Sequence, residues 1–178
     1  MNKIRIISFF IFLAIFTGIF QLGSMSTVSE EEADLFMEEF EKLVLDIDAF
    51  GIFVHNTTIA LPMFIPGFGI FWGLFSSWST GYAFAAIITS MPEIAHISPL
   101  SILFLSPFGL MEISAYSLGI SRSFILIKAI ITKTNLSQFI KPTIIEIGIV
   151  IGLLLAGGYI EFYMIELVEN ESIEMPGL

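Results

Sequence analysis

The sequence contains no cysteine, and only 13% of its 178 residues are charged. Without cysteine, disulfides, thiolate nucleophiles and cysteine-based metal sites are excluded. An average soluble domain has roughly 25% charged residues. Here 56% of the residues are hydrophobic and the mean hydropathy is +0.91. The composition therefore predicts an integral membrane protein.

Positive charge is especially scarce, with seven Lys and Arg residues against 17 Asp and Glu residues and a net charge of −10. We interpret this imbalance as a consequence of the membrane topology, because the acidic residues cluster in segments that we place on the outer side of the membrane. A span needs about 20 apolar residues, so the length leaves room for about five spans and one modest extramembrane segment.

The hydrophobic pattern predicts an all-α membrane protein, a polytopic helical bundle in one domain over residues 1–178. A broken or re-entrant helix is predicted near Pro99 and Pro107. The predicted segments, in order, are a first span over 4–22, an outer amphipathic acidic helix over 29–48, a second span over 49–65, a third over 67–90, a broken fourth over 99–131 and a fifth over 142–164.

Lys3 and Arg5 precede the first apolar run. A cleaved signal peptide is the alternative interpretation of this segment, but no A-x-A-like cleavage site follows it. The only basic loop carries Lys128, Lys133 and Lys141. The positive-inside rule places these residues in the cytoplasm, which predicts a multi-pass cell-membrane protein with its amino terminus inside and its carboxyl terminus outside.

The segment after the first span is acidic, and Ser29 with Glu32 forms a capping-box pattern at its start. Apolar residues at three- and four-residue spacing, among them Phe36 and Phe40, predict an amphipathic surface helix. It is either a connector that packs on its own protein or a docking surface for an external partner.

Ser98-Pro99 and Ser106-Pro107 both have the pattern of a helix start. In a bilayer such a break is tolerated only where other protein or a watery cavity satisfies the freed backbone groups. Glu112 follows within two turns of the second start, and Asn56 or His55 on the second span, or the free amides at the helix start, are its expected partners. Arg122 lies too far along the same helix to pair with it.

Small residues recur every four positions through the third span, from Gly69 to Thr89, and include Gly73 and Gly81. Such a small-residue ladder is typical of close helix contact in membranes. We expect it to pack against the face of the fourth span that is lined by small residues, among them Gly109 and Gly119. A second, shorter ladder in the fifth span consists of Gly148, Gly152 and Ala156.

From about Asn56 to Gly119 the chain resembles the stage II sporulation protein M family. The resemblance depends on Asn56, on Gly73 and Gly81, and on the block Pro107-Phe108-Gly109-Leu110-Met111-Glu112 followed by Gly119. The family usually has His where this chain has Phe108. The resemblance implies a non-catalytic membrane subunit that assembles with peptidoglycan-degrading partners.

Three functions are compatible with the sequence. We prefer a membrane scaffold or recruiting subunit of an envelope-associated complex. Its expected partners are the lipid bilayer and other proteins, with envelope-remodelling enzymes as one possibility. The second is a small transporter or channel that uses buried Glu112. The third and weakest is an intramembrane hydrolase using His55, His96 and Glu112, which lack an H-E-x-x-H spacing. We predict no enzyme activity, cofactor, metal or nucleic-acid partner, and a homo-oligomer stays open.

Overall fold

The computed structural model describes the backbone of residues 3–44 and 47–174, and within these ranges the side chains of residues 3–42 and 47–167. Every regular element in this part of the chain is helical, which confirms the predicted fold class. The helices are α1 (Lys3–Ser24), α2 (Glu30–Val44), α3 (Ala49–Ala60), α4 (Phe68–Ser90), α5 (Pro99–Leu105), α6 (Pro107–Ile131) and α7 (Ser137–Glu174), with short 3-10 turns at Leu61–Phe64 and Pro92–Ile94.

Among the described residues, three helical segments are long and apolar enough to cross a membrane: Lys3–Ser24, Pro107–Ile131 and Ser137–Leu167. A shorter apolar segment covers Ala49–Phe64. The α4 helix has 23 residues, enough for a span, but its Gly, Ser and Thr content lowers its mean hydropathy and keeps it out of this group.

Local sequence explains where the helices begin. The Asp48 carboxylate accepts a hydrogen bond of 2.7 Å from the Gly51 amide and caps α3. Gly67 has a φ of +79°, a backbone conformation that glycine adopts without a steric penalty, and it turns the chain into α4. Ser98 stands at the cap position of α5, but its side chain makes no capping hydrogen bond.

The hydrophobic core joins α1, the 3-10 turn after α3, α6 and α7. Phe16, Met63, Ile113, Ile120 and Leu154 are all buried in it. These contacts place α6 at the centre of the bundle, with side chains from three other segments around it. Any polar residue on the inner faces of α6 is therefore enclosed by protein.

The ladder of α4 packs chiefly on α1, and not, as we expected, chiefly on α6, which it meets at Gly73 beside Ile120. A methyl group at Gly81 would collide with the Phe20 carbonyl oxygen, and one at Gly23 with the Trp78 carbonyl. The Ser77 hydroxyl donates to the Phe16 carbonyl at 2.7 Å. The expectation was wrong because α1 supplies a glycine of its own and carbonyl acceptors at this crossing.

Two members of the predicted second ladder make no close contact within the chain. A methyl group at Gly148 or Gly152 of α7 would meet nothing within 4 Å, and Ala156 is exposed. The helix instead uses Val150, Leu154 and Gly157 to pack on its neighbours. It also begins before and ends after the predicted fifth span, with Pro142 inside it.

The α2 helix is fixed against the end of α4. Val28 and Ala33 form a small hydrophobic cluster with Ala85 and Ala86, and Phe36 packs against it. The capping box is confirmed, since the Ser29 amide and hydroxyl donate to Glu32 at 3.0 and 2.8 Å. These hydrogen bonds lower the pKa of the Glu32 carboxyl. Residues 45 and 46, at the end of the predicted outer helix, lie outside the described residues.

Candidate functional site

The break between α5 and α6 is built by Ser106. Its hydroxyl donates to the Ile102 carbonyl at 2.7 Å and accepts from the Gly109 amide at 3.1 Å, so it joins the end of one helix to the start of the next. A methyl group at Gly109 would come within 2.5 Å of the Ser106 hydroxyl and 2.6 Å of the Leu103 carbonyl. Only glycine fits there, and with Pro107 at the first helical position it sets where α6 starts.

Glu112 lies one turn after Gly109 and reaches across to α3. Its carboxylate accepts a hydrogen bond of 2.6 Å from the Asn56 side-chain amide. Asn56 is buried. The structure thus brings together two of the predicted site residues, which are 56 positions apart in the sequence.

Glu161 of α7 is the second acid near this site, and sequence reasoning missed it. A methyl group at Gly157, one turn before Glu161, would be 3.7 Å from the Met111 side chain, so this face of α7 lies against the start of α6. The Glu161 and Glu112 carboxyls are close enough to interact electrostatically. One oxygen of Glu161 is buried and has no hydrogen-bond partner in the described part of the chain.

The remaining predicted site residues surround this pair or lie apart from it. A methyl group at Gly119 would come within 2.9 Å of the Met63 side chain, and one at Gly73 would collide with Ile120. His55 is exposed, and no hydrogen bond joins its ring to Glu112. Of the two alternatives on the second span, the structure therefore shows Asn56 and not His55 as the partner, because the helical turn that points Asn56 inward points its neighbour outward.

A second polar cluster lies farther along α6 and joins α1, α6 and α7. The Glu146 carboxylate accepts hydrogen bonds from Arg5 Nε at 2.6 Å and Arg5 Nη2 at 2.8 Å. It also accepts from Arg122 Nε at 2.8 Å and from Arg122 Nη2. Arg5 Nη1 in turn donates to the Ser121 hydroxyl at 2.6 Å. We call Arg5, Glu146 and Arg122 the Arg-Glu-Arg cluster.

Sequence reasoning considered a partner for Arg122 only within its own helix. The signal that could have found the partner was Glu146 itself, an isolated acid in an apolar run, since such a charge in a membrane helix is expected to pair. Polar contacts thus join α6 to its neighbours at two positions along its length. One is the hydrogen bond between Asn56 and Glu112, and the other is the pairing of Glu146 with the two arginines.

The chemistry available to these sites is hydrogen bonding and proton exchange. Among the side chains that the structure describes, those of residues 3–42 and 47–167, no three His, Asp or Glu residues converge as a metal site would require. His96, in the loop after α4, bonds through Nδ1 to the Glu93 carbonyl at 2.7 Å and is exposed.

The helical fold, the apolar helices and the buried polar pairs define a helical membrane protein whose bundle is joined by polar contacts. The family model described as stage II sporulation protein M matches residues 6–164. The chain belongs to the stage II sporulation protein M family. No curated protein and no solved structure matches it significantly.

Proposed function

We propose that the protein is a multi-pass cell-membrane protein and a non-catalytic scaffold that recruits a partner to an envelope-associated complex. Family membership supports a membrane role. In this proposal the chain crosses the bilayer five times, with its amino terminus inside and its carboxyl terminus outside. The start of α1 lies beside the loop between α6 and α7, so the basic residues Arg5 and Lys128 share one end of the bundle, as the positive-inside rule requires.

The observation that carries the proposal is the fixed placement of α2. Its small apolar face is docked on α4 through Ala33 and Phe36. Glu31, Glu38 and Glu39 are exposed, with the exposed side chain of Leu35 among them. Helical spacing puts these four residues on the side opposite Ala33.

A rigidly held acidic face suits recruitment. Because α2 is already capped and packed, a partner would not have to order it on binding, and this lowers the entropic cost of association. The exposed carboxylates favour a partner with a basic surface and speed its encounter. The polar contacts in the bundle then have a structural role, in which Glu112 and Asn56 hold α6 against α3.

Co-purification tests the proposal. The full-length protein would be tagged and isolated from host membranes, and compared with a variant carrying Glu31→Gln, Glu38→Gln and Glu39→Gln. Loss of a stoichiometric partner from the variant is expected. Glu93→Gln is the matched control, because it neutralises an exposed acid in the loop after α4. The same partners with both variants, or no stoichiometric partner with wild type, would refute recruitment through α2.

A second candidate function, a small transporter, is favoured by the two acids between α6 and α7. Carboxyl groups inside a membrane bundle are typical of proton relays, and Glu161 has a buried oxygen without a partner among the described residues. In proteoliposomes, a transporter would move protons or a solute, and Glu112→Gln would abolish that flux while the protein stayed folded. Equal flux from wild type and variant would exclude this use of Glu112.

A further inference from the structure

A cavity of about 490 Å³ lies at the basic end of the bundle, between the start of α1, the end of α6 and the start of α7. Its size is within the roughly 300–1,000 Å³ of small-molecule sites. It includes the Arg-Glu-Arg cluster in its wall, and Lys128 adds a third cation. Three basic side chains therefore face one carboxylate, Glu146, which leaves an excess of positive charge.

The arginines have donors left after pairing with Glu146. A guanidinium has five N–H groups, and Arg122 uses only Nε and Nη2 toward Glu146. Arg122 Nη1 donates to no group in the described part of the chain, and it is not one of the fully buried atoms without a partner, so it keeps some accessible surface. Since Arg122 lines the cavity, an acceptor placed inside it would be the partner of these N–H groups.

The rest of the wall combines apolar and polar groups. Ile125, Phe139 and Pro142 line one part, while Thr134 and Gln138 line another. An occupant that fits this wall has an anionic group for the guanidinium, hydroxyls or ester oxygens for the polar side chains, and a hydrocarbon part. Arginine donors match phosphate oxygens especially well, because the planar fork can bind two of them.

We propose that this cavity binds the phosphate headgroup of an anionic phospholipid. Basic pockets between transmembrane helices are known to take such headgroups. A free phosphate ester offers the same anion but no hydrocarbon, and a zwitterionic lipid adds a cation that the excess positive charge would repel. Binding would place the lipid phosphate at the end of the bundle where Arg5, Arg122 and Lys128 lie together.

Lipid binding to the full-length protein in detergent would test this. Dissociation constants would be measured by native mass spectrometry for phosphatidylglycerol, phosphatidylcholine and glycerol phosphate. Wild type should bind phosphatidylglycerol about tenfold more tightly than either of the others. Because one cation near a membrane phosphate is worth about 1 kcal/mol, Lys128→Gln should weaken phosphatidylglycerol binding about fivefold.

Two more variants keep the test independent of the buried arginines. Gln138→Glu adds an acid to the wall at an exposed position and should weaken binding at least as much as Lys128→Gln. Lys133→Gln removes a nearby exposed cation that does not line the cavity and should change binding less than twofold. Equal effects of Lys128→Gln and Lys133→Gln, or equal affinity for both lipids, would overturn the site. Equal affinity for glycerol phosphate and phosphatidylglycerol would overturn the lipid as its occupant.

Discussion

Glu146 is the residue whose removal should cost this fold most among its charged side chains. Its carboxylate accepts four hydrogen bonds from the guanidiniums of Arg5 and Arg122. The side chains of these two arginines are only 9% and 4% exposed. Glu146→Gln keeps the shape but removes the charge and turns an amide N–H group toward arginine donors. Two buried cations would then lack a counter-charge.

The expected loss follows from this geometry. Removing one partner of a buried ion pair costs about 3–5 kcal/mol, because the remaining charge is left unpaired in a medium of low dielectric. Because Glu146→Gln would leave two buried cations unpaired, we expect it to lower the free energy of unfolding by about 4–5 kcal/mol, near the upper end of this range. The free energy of unfolding would be measured by titrating detergent-solubilised protein with dodecyl sulfate and following the fluorescence of Trp72 and Trp78.

Two controls separate pairing from general damage. Glu166→Gln changes an exposed acid on the same helix and should alter stability by less than about 0.5 kcal/mol. Replacing the whole cluster together, with Arg5→Met, Arg122→Met and Glu146→Leu, should recover most of the loss, because no charge is then buried alone. A free energy of unfolding for Glu146→Gln within about 0.5 kcal/mol of wild type would refute the reasoning.

Three further predictions concern packing, the polar pair and the outer helix. Gly81→Leu should abolish folded protein, as judged by size-exclusion chromatography in detergent, because a side chain there collides with the Phe20 carbonyl, whereas Gly148→Leu, at a position with open space around it, should behave like wild type. Glu112→Gln should support the same folded yield as wild type because it can still accept the Asn56 amide, while Glu112→Ala should lower it by leaving that amide unpaired. The Ser29 hydrogen bonds lower the Glu32 pKa, so their stabilisation of α2 is present above the ordinary carboxyl pKa and is lost as pH falls through the lowered value. Ser29→Ala removes the hydroxyl donor and keeps the amide donor, so an NMR titration should show the Glu32 pKa raised only part of the way to its ordinary value.

The sequence predicted the local features well, because they depend on near neighbours. The helix start at Ser106-Pro107 and the capping box at Ser29 are both set by contacts within four residues. The helical fold class followed from composition and the length of the apolar runs.

The contacts between helices were harder to predict. A ladder of small residues shows that some helix comes close, but it does not say which one, and α1 was recognised as the partner of α4 only from the structure. Likewise, the partners of Glu146 are 141 and 24 positions away, and nothing in the local pattern joins them. The open faces of Gly148 and Gly152 show that the same pattern can also lie outside the bundle's own contacts.

Site-specific photo-crosslinking at Leu35 in intact cells tests recruitment by α2 most directly. This side chain is 59% exposed among the acidic residues of α2, and Phe71 of α4, at 78% exposed, is the matched position away from them. A crosslinker at Leu35 should give one discrete adduct that disappears when Glu38 and Glu39 are changed to Gln, and a crosslinker at Phe71 should not give that adduct. No adduct at Leu35, or one that persists after both substitutions, would contradict the proposed role.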